Sequence, residues 1–325
     1  MNSSKLEDIF GKSPQIGEVI KQIRQVSGSN FSVLLEGETG VGKTLVARTI
    51  HSLSKRKSQP FVKVEVGAIP DTLFESELFG YKKGAFTGAE KNKKGFFEAA
   101  NGGTLFIDEL ENMTLCAQGK LLRAVEERQV IPLGSTTPID IDVRIISATN
   151  NNIRQEVKDR EFREDLFYRL CEFDILIPPL RERNGDIAAI ARQFLVEAAE
   201  ELGKEIKSIA ADVLEVIRQH PWPGNVRELK NVIRKGTLLC EDEQLTLKDM
   251  PFLFGSSADG RERETRELES TSPCFPITLC LADLEKWAIH QALTRTRGRQ
   301  MRAAALLGIE YQRFKRKLKK YQIRT

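Results

Sequence analysis

The sequence lacks any hydrophobic segment that approaches the roughly 20 apolar residues of a membrane-spanning helix. Its N-terminus, Met1–Phe10, is polar and contains no hydrophobic region of a signal peptide. The five cysteines are scattered and show no spacing of a metal-ligand pair. We therefore expect a cytoplasmic protein with reduced thiols and without insertion into a membrane.

Charge is distributed unevenly along the chain. Residues 280–325 carry twelve Lys or Arg against three Asp or Glu, whereas the formal net charge of the whole chain is only +4. A basic tail on a mildly acidic body indicates a nucleic-acid partner, because neutralising phosphates releases bound counterions. The alternative is a basic helix that is merely solvated.

Apolar runs that alternate with amphipathic stretches predict an α/β fold, in which helices flank a parallel sheet. The predicted buried strands are Phe31–Glu36, Phe61–Val66, Gly103–Ile107 and Val143–Ala148. The helical patterns between them include Thr44–Leu53 and Ala117–Glu127. After Pro178 and Pro179 the strands stop, and the remaining patterns predict a helical lid built from Ile187–Leu202, Ala210–His220 and Asn225–Leu239.

Changes of composition mark the domain boundaries. Gly255–Pro273 has few apolar residues and is typical of a flexible, charged linker, and the apolar pattern returns at Leu279. The predicted domains are a short tail (1–8), an α/β subdomain (9–178), a helical lid (179–254), a flexible linker (255–278) and a small all-α domain (279–325).

A glycine-rich loop follows the first predicted strand and opens a helix, and this setting favours a phosphate-binding loop over a chance turn. The loop fits G-x-x-x-x-G-K-[ST] and consists of Gly37, Glu38, Thr39, Gly40, Val41, Gly42, Lys43 and Thr44. Its backbone N–H groups and the helix N-terminus are predicted to hold the phosphates of ATP. Lys43 would reach the β- and γ-phosphates, and Thr44 would bind Mg²⁺.

The strand Gly103–Ile107 ends in two carboxylates, at the edge of the sheet where the phosphate-binding loop also lies. Asp108 is predicted to hold Mg²⁺ through water, and Glu109 to polarise the attacking water as general base. Together with Lys43, these residues predict hydrolysis of ATP.

Two further positions are predicted to contact the nucleotide. Asn150 follows the strand Val143–Ala148 and is placed to sense the γ-phosphate, the position called sensor I; a plain turn is the alternative. Arg227 lies early in a lid helix and is placed to reach the γ-phosphate as sensor II, which would couple rotation of the lid to hydrolysis. The alternative for Arg227 is a salt bridge at the start of a helix.

Two arginines six residues apart, Arg163 and Arg169, are candidates for completing the nucleotide site of a neighbouring subunit in a ring. A planar guanidinium suits the charge that develops on a transferring phosphoryl group. The alternative is surface ion pairing with Glu164 or Asp165.

Between the phosphate-binding loop and the acidic strand end lies a hexapeptide in which two glycines enclose an aromatic and hydroxylic tip. Its residues are Gly84, Ala85, Phe86, Thr87, Gly88 and Ala89. Glycine permits left-handed turns, so the tip is predicted to project and grip another protein. The alternative is an ordinary glycine-rich surface turn.

In order and spacing, these motifs resemble the central domain of the sigma-54-dependent bacterial enhancer-binding activators, over residues 9–254. The matching strings are Gly37–Thr44, Glu75–Gly80, Gly84–Ala89, Gly102–Glu109, Phe162–Leu170 and Trp222–Leu229. The resemblance implies an AAA+ P-loop ATPase that forms a hexameric ring. It further implies that the Phe86-Thr87 loops act on sigma-54, remodelling a closed promoter complex into an open one.

The chain departs from this family at two positions. Glu65 stands where the family usually has an Asn that is thought to hold the catalytic Glu inactive, and Glu65 is expected to repel Glu109 instead. Pro132 stands where the family often has Arg, which is expected to alter subunit contacts. Most relatives carry a sensory domain before the ATPase; since few residues precede it here, we expect control by a separate protein acting in trans or by expression level.

The C-terminal module resembles the Fis-type helix-turn-helix domain of the same activators. A short helix, the turn Gly308-Ile309 and the basic helix Tyr311–Tyr321 fit such a motif. Its first helix is expected to dimerise and so place two recognition helices on palindromic enhancer DNA. The candidate DNA contacts are Gln312, Arg313 and Arg316 for bases and Lys317, Lys319 and Lys320 for phosphates. A basic helical cap on the ring is the alternative.

Two other functions remain open at this point. A general AAA+ remodeller, such as an unfoldase or loader, would respond to unfolded protein or DNA ends and be indifferent to sigma-54. A DNA-binding regulator that uses ATP only for assembly would bind DNA with negligible turnover.

Overall fold

A computed structural model describes residues 3–251 and residue 300, and residues 3–251 form eleven α-helices and eleven strands. The helices are α1 (Ser3–Phe10), α2 (Pro14–Ser27), α3 (Lys43–Leu53), α4 (Asp71–Phe79), α5 (Phe96–Ala99), α6 (Leu115–Glu127), α7 (Ile153–Lys158), α8 (Glu164–Leu170), α9 (Asn184–Leu202), α10 (Ala211–Gln219) and α11 (Asn225–Leu239). The strands are β1 (Val33–Glu36), β2 (Phe61–Glu65), β3 (Gly80–Tyr81), β4 (Lys93–Lys94), β5 (Thr104–Asp108), β6 (Gln129–Val130), β7 (Ile139–Asp140), β8 (Arg144–Thr149), β9 (Phe173–Leu176), β10 (Ser208–Ile209) and β11 (Gln244–Leu245). Short 3₁₀ turns lie at Val66–Ala68, Leu110–Asn112, Leu180–Glu182 and Leu247–Asp249.

Five strands form one parallel sheet in the order β2-β5-β8-β1-β9. The central strands β5 and β8 are buried along nearly their whole length, as expected for strands covered on both faces. The register pairs Glu65 with Asp108 and Glu36 with Thr149. The carboxyl ends of four strands therefore meet at one edge, where the loop after β1 also begins.

Side chains that alternate along the strands build a hydrophobic core on each face of this sheet. Leu34 and Leu105 pack with α4, α5, α6 and α8 on one face. Leu35 and Phe106 pack with α1, α2 and α3 on the other. This double cover holds the strand ends in fixed positions relative to one another.

The lid has a core of its own, formed by α9, α10 and α11 around the fully buried Trp222. The indole N–H of Trp222 donates a hydrogen bond to the carbonyl of Ile217 at 2.7 Å. The expectation that strands stop after Pro179 is wrong in detail, because β10 and β11 form a two-stranded parallel pair beside these helices.

Two other sequence expectations need correction. The segment predicted as a tail (1–8) is largely helix α1, whose Leu6 is buried in the core beside Phe10. Strand β9, at the edge of the sheet, was not predicted; its exposed Asp174 and Leu176 alternate with Phe173 and the buried Ile175.

The predicted linker (255–278) and nearly all of the all-α domain (279–325) lie outside the described residues. Among the residues that the structure describes, no helix is long and apolar enough to span a membrane.

Candidate nucleotide site

The phosphate-binding loop connects β1 to α3 and needs glycine where another element approaches its backbone. Gly40 has φ +83°, and a Cβ at this position would overlap the carbonyl oxygen of Gly224 from the lid. Gly42 has φ +107° and caps the N-terminus of α3. The loop thus directs backbone N–H groups and a helix N-terminus into one space, which favours binding of phosphate.

Lys43 is buried, and its ammonium group has hydrogen-bond partners in the phosphate-binding loop and in Asn150. Nζ donates hydrogen bonds to the carbonyls of Gly37 (2.6 Å) and Glu38 (3.1 Å) and to Oδ1 of Asn150 (2.5 Å). Burial lowers the pKa of Lys43, and the nearby carboxylates of Asp108 and Glu111 oppose that shift. The ammonium is therefore held in place at the point where phosphates are expected.

The acidic strand end faces this lysine. Thr44 Oγ1 donates to Asp108 Oδ2 at 3.4 Å, so a hydroxyl and a carboxylate oxygen lie side by side. This pair fits Mg²⁺, which usually takes one or two protein oxygens and completes its shell with water and phosphate oxygens. No group of three or more His, Cys, Asp and Glu side chains suited to a metal is found among the described residues.

Lys63 was missed by the sequence analysis. Its Nζ lies 3.0 Å from Asp108 Oδ2 and 3.4 Å from Glu65 Oε2. Partial burial lowers the pKa of Lys63, but its hydrogen bond to Asp108 and the charges of Asp108 and Glu65 raise it overall. Glu65 is therefore paired with a cation that the expectation left out. Because Lys63 and Glu65 are two residues apart on β2, their side chains lie on the same face of the strand. This spacing is the sequence pattern that could have indicated their contact.

Glu109 follows β5 with a left-handed φ of +60°. Its Oε2 accepts a hydrogen bond from Nδ2 of Asn112 at 3.2 Å. A Cβ on Gly67 would overlap this carboxylate oxygen and lie 2.8 Å from the Asn112 amide nitrogen. Thus Asn112 contacts the candidate base, and Gly67 leaves the room for that contact.

Asn150 lies between two charged groups. It accepts from Lys43 and donates through Nδ2 to Glu111 Oε1 at 2.7 Å. Glu111 was also missed, because it stands between the recognised motifs and carries no pattern of its own.

The lid contacts the phosphate-binding loop directly. The backbone N–H groups of Val226 and Arg227 donate to the carbonyl of Gly40 at 3.0 and 3.3 Å. The buried Asn225 donates to the Thr39 carbonyl at 3.1 Å and to Glu38 Oε2 at 3.0 Å. The phosphate-binding loop is therefore hydrogen-bonded directly to the first turn of α11.

Glu38 provides a second link to the lid. Arg181 donates two hydrogen bonds to its carboxylate, at 2.9 and 2.6 Å. These bonds and that from Asn225 lower the pKa of Glu38 to about 2. The carboxylate therefore stays ionised and paired at neutral pH.

Most of the residues predicted to bind the nucleotide line one cavity of about 390 Å³. Its lining includes Thr39, Gly40, Gly42, Lys43, Thr44, Asp108, Glu109, Asn150 and Arg227, together with Lys63 and Glu65. Gly37, Glu38 and Val41 belong to the same loop but do not line the cavity. The cavity thus brings the candidate phosphate cradle, the candidate Mg²⁺ ligands and the candidate base together in one space.

The two candidate arginine fingers are not among the residues that line this cavity. Arg163 forms two hydrogen bonds with Asp165, at 3.0 and 2.7 Å, which is the ion pair considered as the alternative. Arg169 lies 3.8 Å from Glu172. Neither lines the nucleotide cavity of its own chain, so a role in hydrolysis would have to be exerted on another subunit.

The hexapeptide Gly84–Ala89 projects from the hairpin formed by β3 and β4. Gly84 and Gly88 have φ of +84° and +99°, and Phe86 and Thr87 between them are exposed. The ring of Phe86 meets that of Tyr81 edge to face, with centroids 5.0 Å apart. Hydrogen bonds at the base, such as Gly84 N to Ala89 O at 2.9 Å, close the loop while the tip stays accessible.

Position 132 and the DNA-contact candidates complete the predicted set. Pro132 is buried within its own chain, beside the base of the hexapeptide loop. The candidate DNA contacts lie outside the described residues: Gln312, Arg313, Arg316, Lys317, Lys319 and Lys320.

Comparison with family profiles gives three consecutive matches. Residues 9–176 match the Sigma-54 interaction domain, residues 181–267 an AAA+ ATPase lid domain, and residues 281–321 the Bacterial regulatory protein, Fis family. These matches confirm the expected fold class of a P-loop α/β domain with a helical lid and a Fis-type helix-turn-helix domain.

Individual relatives agree with the profiles. The chain is 41% identical over 322 residues to the putative uric acid sigma-54-dependent transcriptional regulator UacR of Escherichia coli, covering 98% of this chain but 54% of that protein. It is 40% identical over 334 residues to the DNA-binding transcriptional regulator NtrC of Escherichia coli, covering 96% of this chain and 70% of that protein. The crystal structure of NtrX from Brucella abortus in complex with ATP is similar with a TM-score of 0.69 and 31% identity, covering 95% and 68% of the two chains.

Proposed function

Because the chain belongs to the family of sigma-54-dependent transcriptional activators, we propose that it binds enhancer DNA and uses ATP hydrolysis to remodel the sigma-54 RNA polymerase holoenzyme. The closed promoter complex would become an open one. The observation that carries the proposal is the presence, in one subdomain, of a cavity lined by the candidate hydrolytic residues and of a separate, exposed hexapeptide loop.

In the proposed hydrolysis, Lys43 exchanges its loop carbonyls for the β- and γ-phosphates. Glu109 accepts a proton from the attacking water as general base. Thr44 and Asp108 would hold Mg²⁺, which supplies neutralisation of phosphate charge. Arg227 would reach the γ-phosphate from the lid.

A continuous stretch of chain connects this chemistry to the hexapeptide loop. The end of β2, where Lys63 contacts Asp108, runs into the turn Val66–Ala68, which packs on the turn Leu110–Asn112. Helix α4 follows, and its last residue precedes β3 and the loop. A shift at the acidic strand end would therefore move α4 and, through it, the tip.

The ring is part of the same proposal. Arg163 and Arg169 are partly exposed and lie outside the nucleotide cavity of their own chain. Such arginines suit completion of a neighbour's site, since a guanidinium supplied by another subunit can stabilise charge on the transferring phosphoryl group. A hexamer would place one subunit's arginines beside the next subunit's ATP.

The same proposal assigns enhancer recognition to the Fis-type domain. In it, Gln312, Arg313 and Arg316 contact bases, and Lys317, Lys319 and Lys320 contact phosphates.

The proposal predicts ATP-dependent opening of a sigma-54 promoter. Purified protein, sigma-54 holoenzyme and enhancer-promoter DNA should give melted bases with hydrolysable ATP and none without it. Lys43→Ala serves as the control that lacks the phosphate contact. Hydrolysis without melting would favour a general remodeller, and DNA binding with negligible turnover would favour a regulator that uses ATP only for assembly.

Gly67→Ala is expected to slow ATP hydrolysis on the order of 10²-fold, because its methyl group takes the space of the Glu109 carboxylate and a displacement of about 1 Å can cost that factor. Gly67 does not have a positive φ, so its backbone accepts alanine. Measuring the steady-state kcat, with nucleotide affinity determined separately, checks this prediction. Gly17→Ala, at an exposed helix position with open space around it, is the matched control. Unchanged kcat would contradict the close packing of Gly67 on the catalytic base.

A further inference from the structure

Glu111 lies in the turn Leu110–Asn112, and the mechanism above does not use it. Its Oε1 accepts hydrogen bonds from the backbone N–H of Asn150 (3.3 Å) and from its side-chain Nδ2 (2.7 Å). Its Oε2 is buried and has no hydrogen-bond partner within the part of the chain that the structure describes. Burying half of a carboxylate without a partner is costly, which points to a purpose beyond packing.

The amide of Asn150 is held between opposite charges. Its Nδ2 donates to Glu111, while its Oδ1 accepts from the ammonium of Lys43 at 2.5 Å. An amide flip would exchange oxygen and nitrogen. The NH₂ group would then face the ammonium and the oxygen would face the carboxylate, so both contacts would be lost. The two charges therefore select one orientation of the amide.

This orientation determines what Asn150 offers to the nucleotide. When Lys43 moves to the phosphates, Glu111 still engages Nδ2, and Oδ1 becomes free. An amide oxygen accepts hydrogen bonds, so it pairs with the O–H of a water but not with a phosphate oxygen. Asn150 would therefore orient water, in contrast to a direct donor contact with the γ-phosphate.

We propose that Glu111 is a positioning residue that fixes the Asn150 amide with its oxygen toward the nucleotide, where it orients the attacking water. The inference rests on the ATPase activity proposed above. Glu111 itself touches neither the nucleotide nor the water.

A reciprocal exchange tests this arrangement. Asn150→Asp alone sets two carboxylates against each other. Adding Glu111→Gln supplies an amide donor to the new carboxylate, whose second oxygen still accepts from Lys43. The combined variant keeps the total charge of the pair and the acceptor that faces the nucleotide.

Two measurements give the expected results. Without nucleotide, Asn150→Asp should lower the melting temperature by about 2–4 °C, and the double variant should recover most of that loss. With ATP, kcat of the double variant should exceed that of Asn150→Asp by about tenfold, the size of a coupling between contacting residues. Glu126→Gln, at an exposed position on α6, should match the wild type in both.

The proposal is overturned if the double variant is no better than Asn150→Asp in melting temperature and kcat. It is also overturned if Glu111→Ala matches the wild type in both. Failure of the wild type to hydrolyse ATP would contradict the proposed function instead, while the nucleotide-free melting temperatures would still decide whether Glu111 positions Asn150.

Discussion

Glu109→Gln is expected to reduce kcat for ATP hydrolysis by about 10²–10⁴-fold, the range found when a general base is removed. Glutamine has nearly the same shape, and its oxygen can still accept the hydrogen bond from Asn112, which in the native chain spans 3.2 Å. The amide, however, cannot take a proton from water. The fold, the candidate phosphate cradle and the candidate Mg²⁺ ligands Thr44 and Asp108 are unchanged by this substitution, so ATP should bind as before.

Single-turnover hydrolysis together with binding of a fluorescent ATP analogue measures this prediction. Glu126→Gln serves as the matched control, because it makes the same chemical change at an exposed site on α6. Near-native hydrolysis by Glu109→Gln would mean that another residue acts as the general base. The remaining candidate would be Glu65, which lines the same cavity.

Contiguous motifs explain why much of this site could be predicted from sequence. The candidate functional residues of the loop Gly37–Thr44 are close together in sequence, and so are those of the strand end Asp108-Glu109. Each motif also follows a buried strand, which indicates its place in the fold. Parallel pairing then requires both to lie at the same edge of the sheet. The structure brings them together in one cavity for this reason.

The residues that the sequence did not reveal depend on packing between separate segments. Glu111 and Asn112 sit in a 3₁₀ turn whose side chains reach different partners, and no short pattern specifies that division. Lys63 contacts Asp108 only because β2 pairs with β5 in one particular register. The fold shows the same limit: residues 1–8 look like a polar tail in the sequence, because the few apolar residues of α1 form part of a core only when they pack beside α2.

Thr87→Ala is expected to abolish open-complex formation while leaving basal ATP hydrolysis within about twofold, since surface changes rarely alter stability by more than about 0.5 kcal/mol. Thr87 is exposed at the loop tip, and within the described residues its hydroxyl has no hydrogen bond that would be lost. Neither it nor any other residue of Gly84–Ala89 lines the nucleotide cavity. The hydroxyl is therefore available to a partner and dispensable to the chemistry.

Promoter melting and ATP turnover should be measured on the same preparation, with Thr136→Ala as the matched control. Thr136 is an exposed threonine in the adjacent loop, whose Gly134 packs against Ala85. Loss of melting in Thr87→Ala alone would assign the contact to the tip itself and not to this surface in general. Loss of hydrolysis along with melting would mean that the tip controls the cavity through α4, so the loop would be a coupling element and not only a grip on the partner.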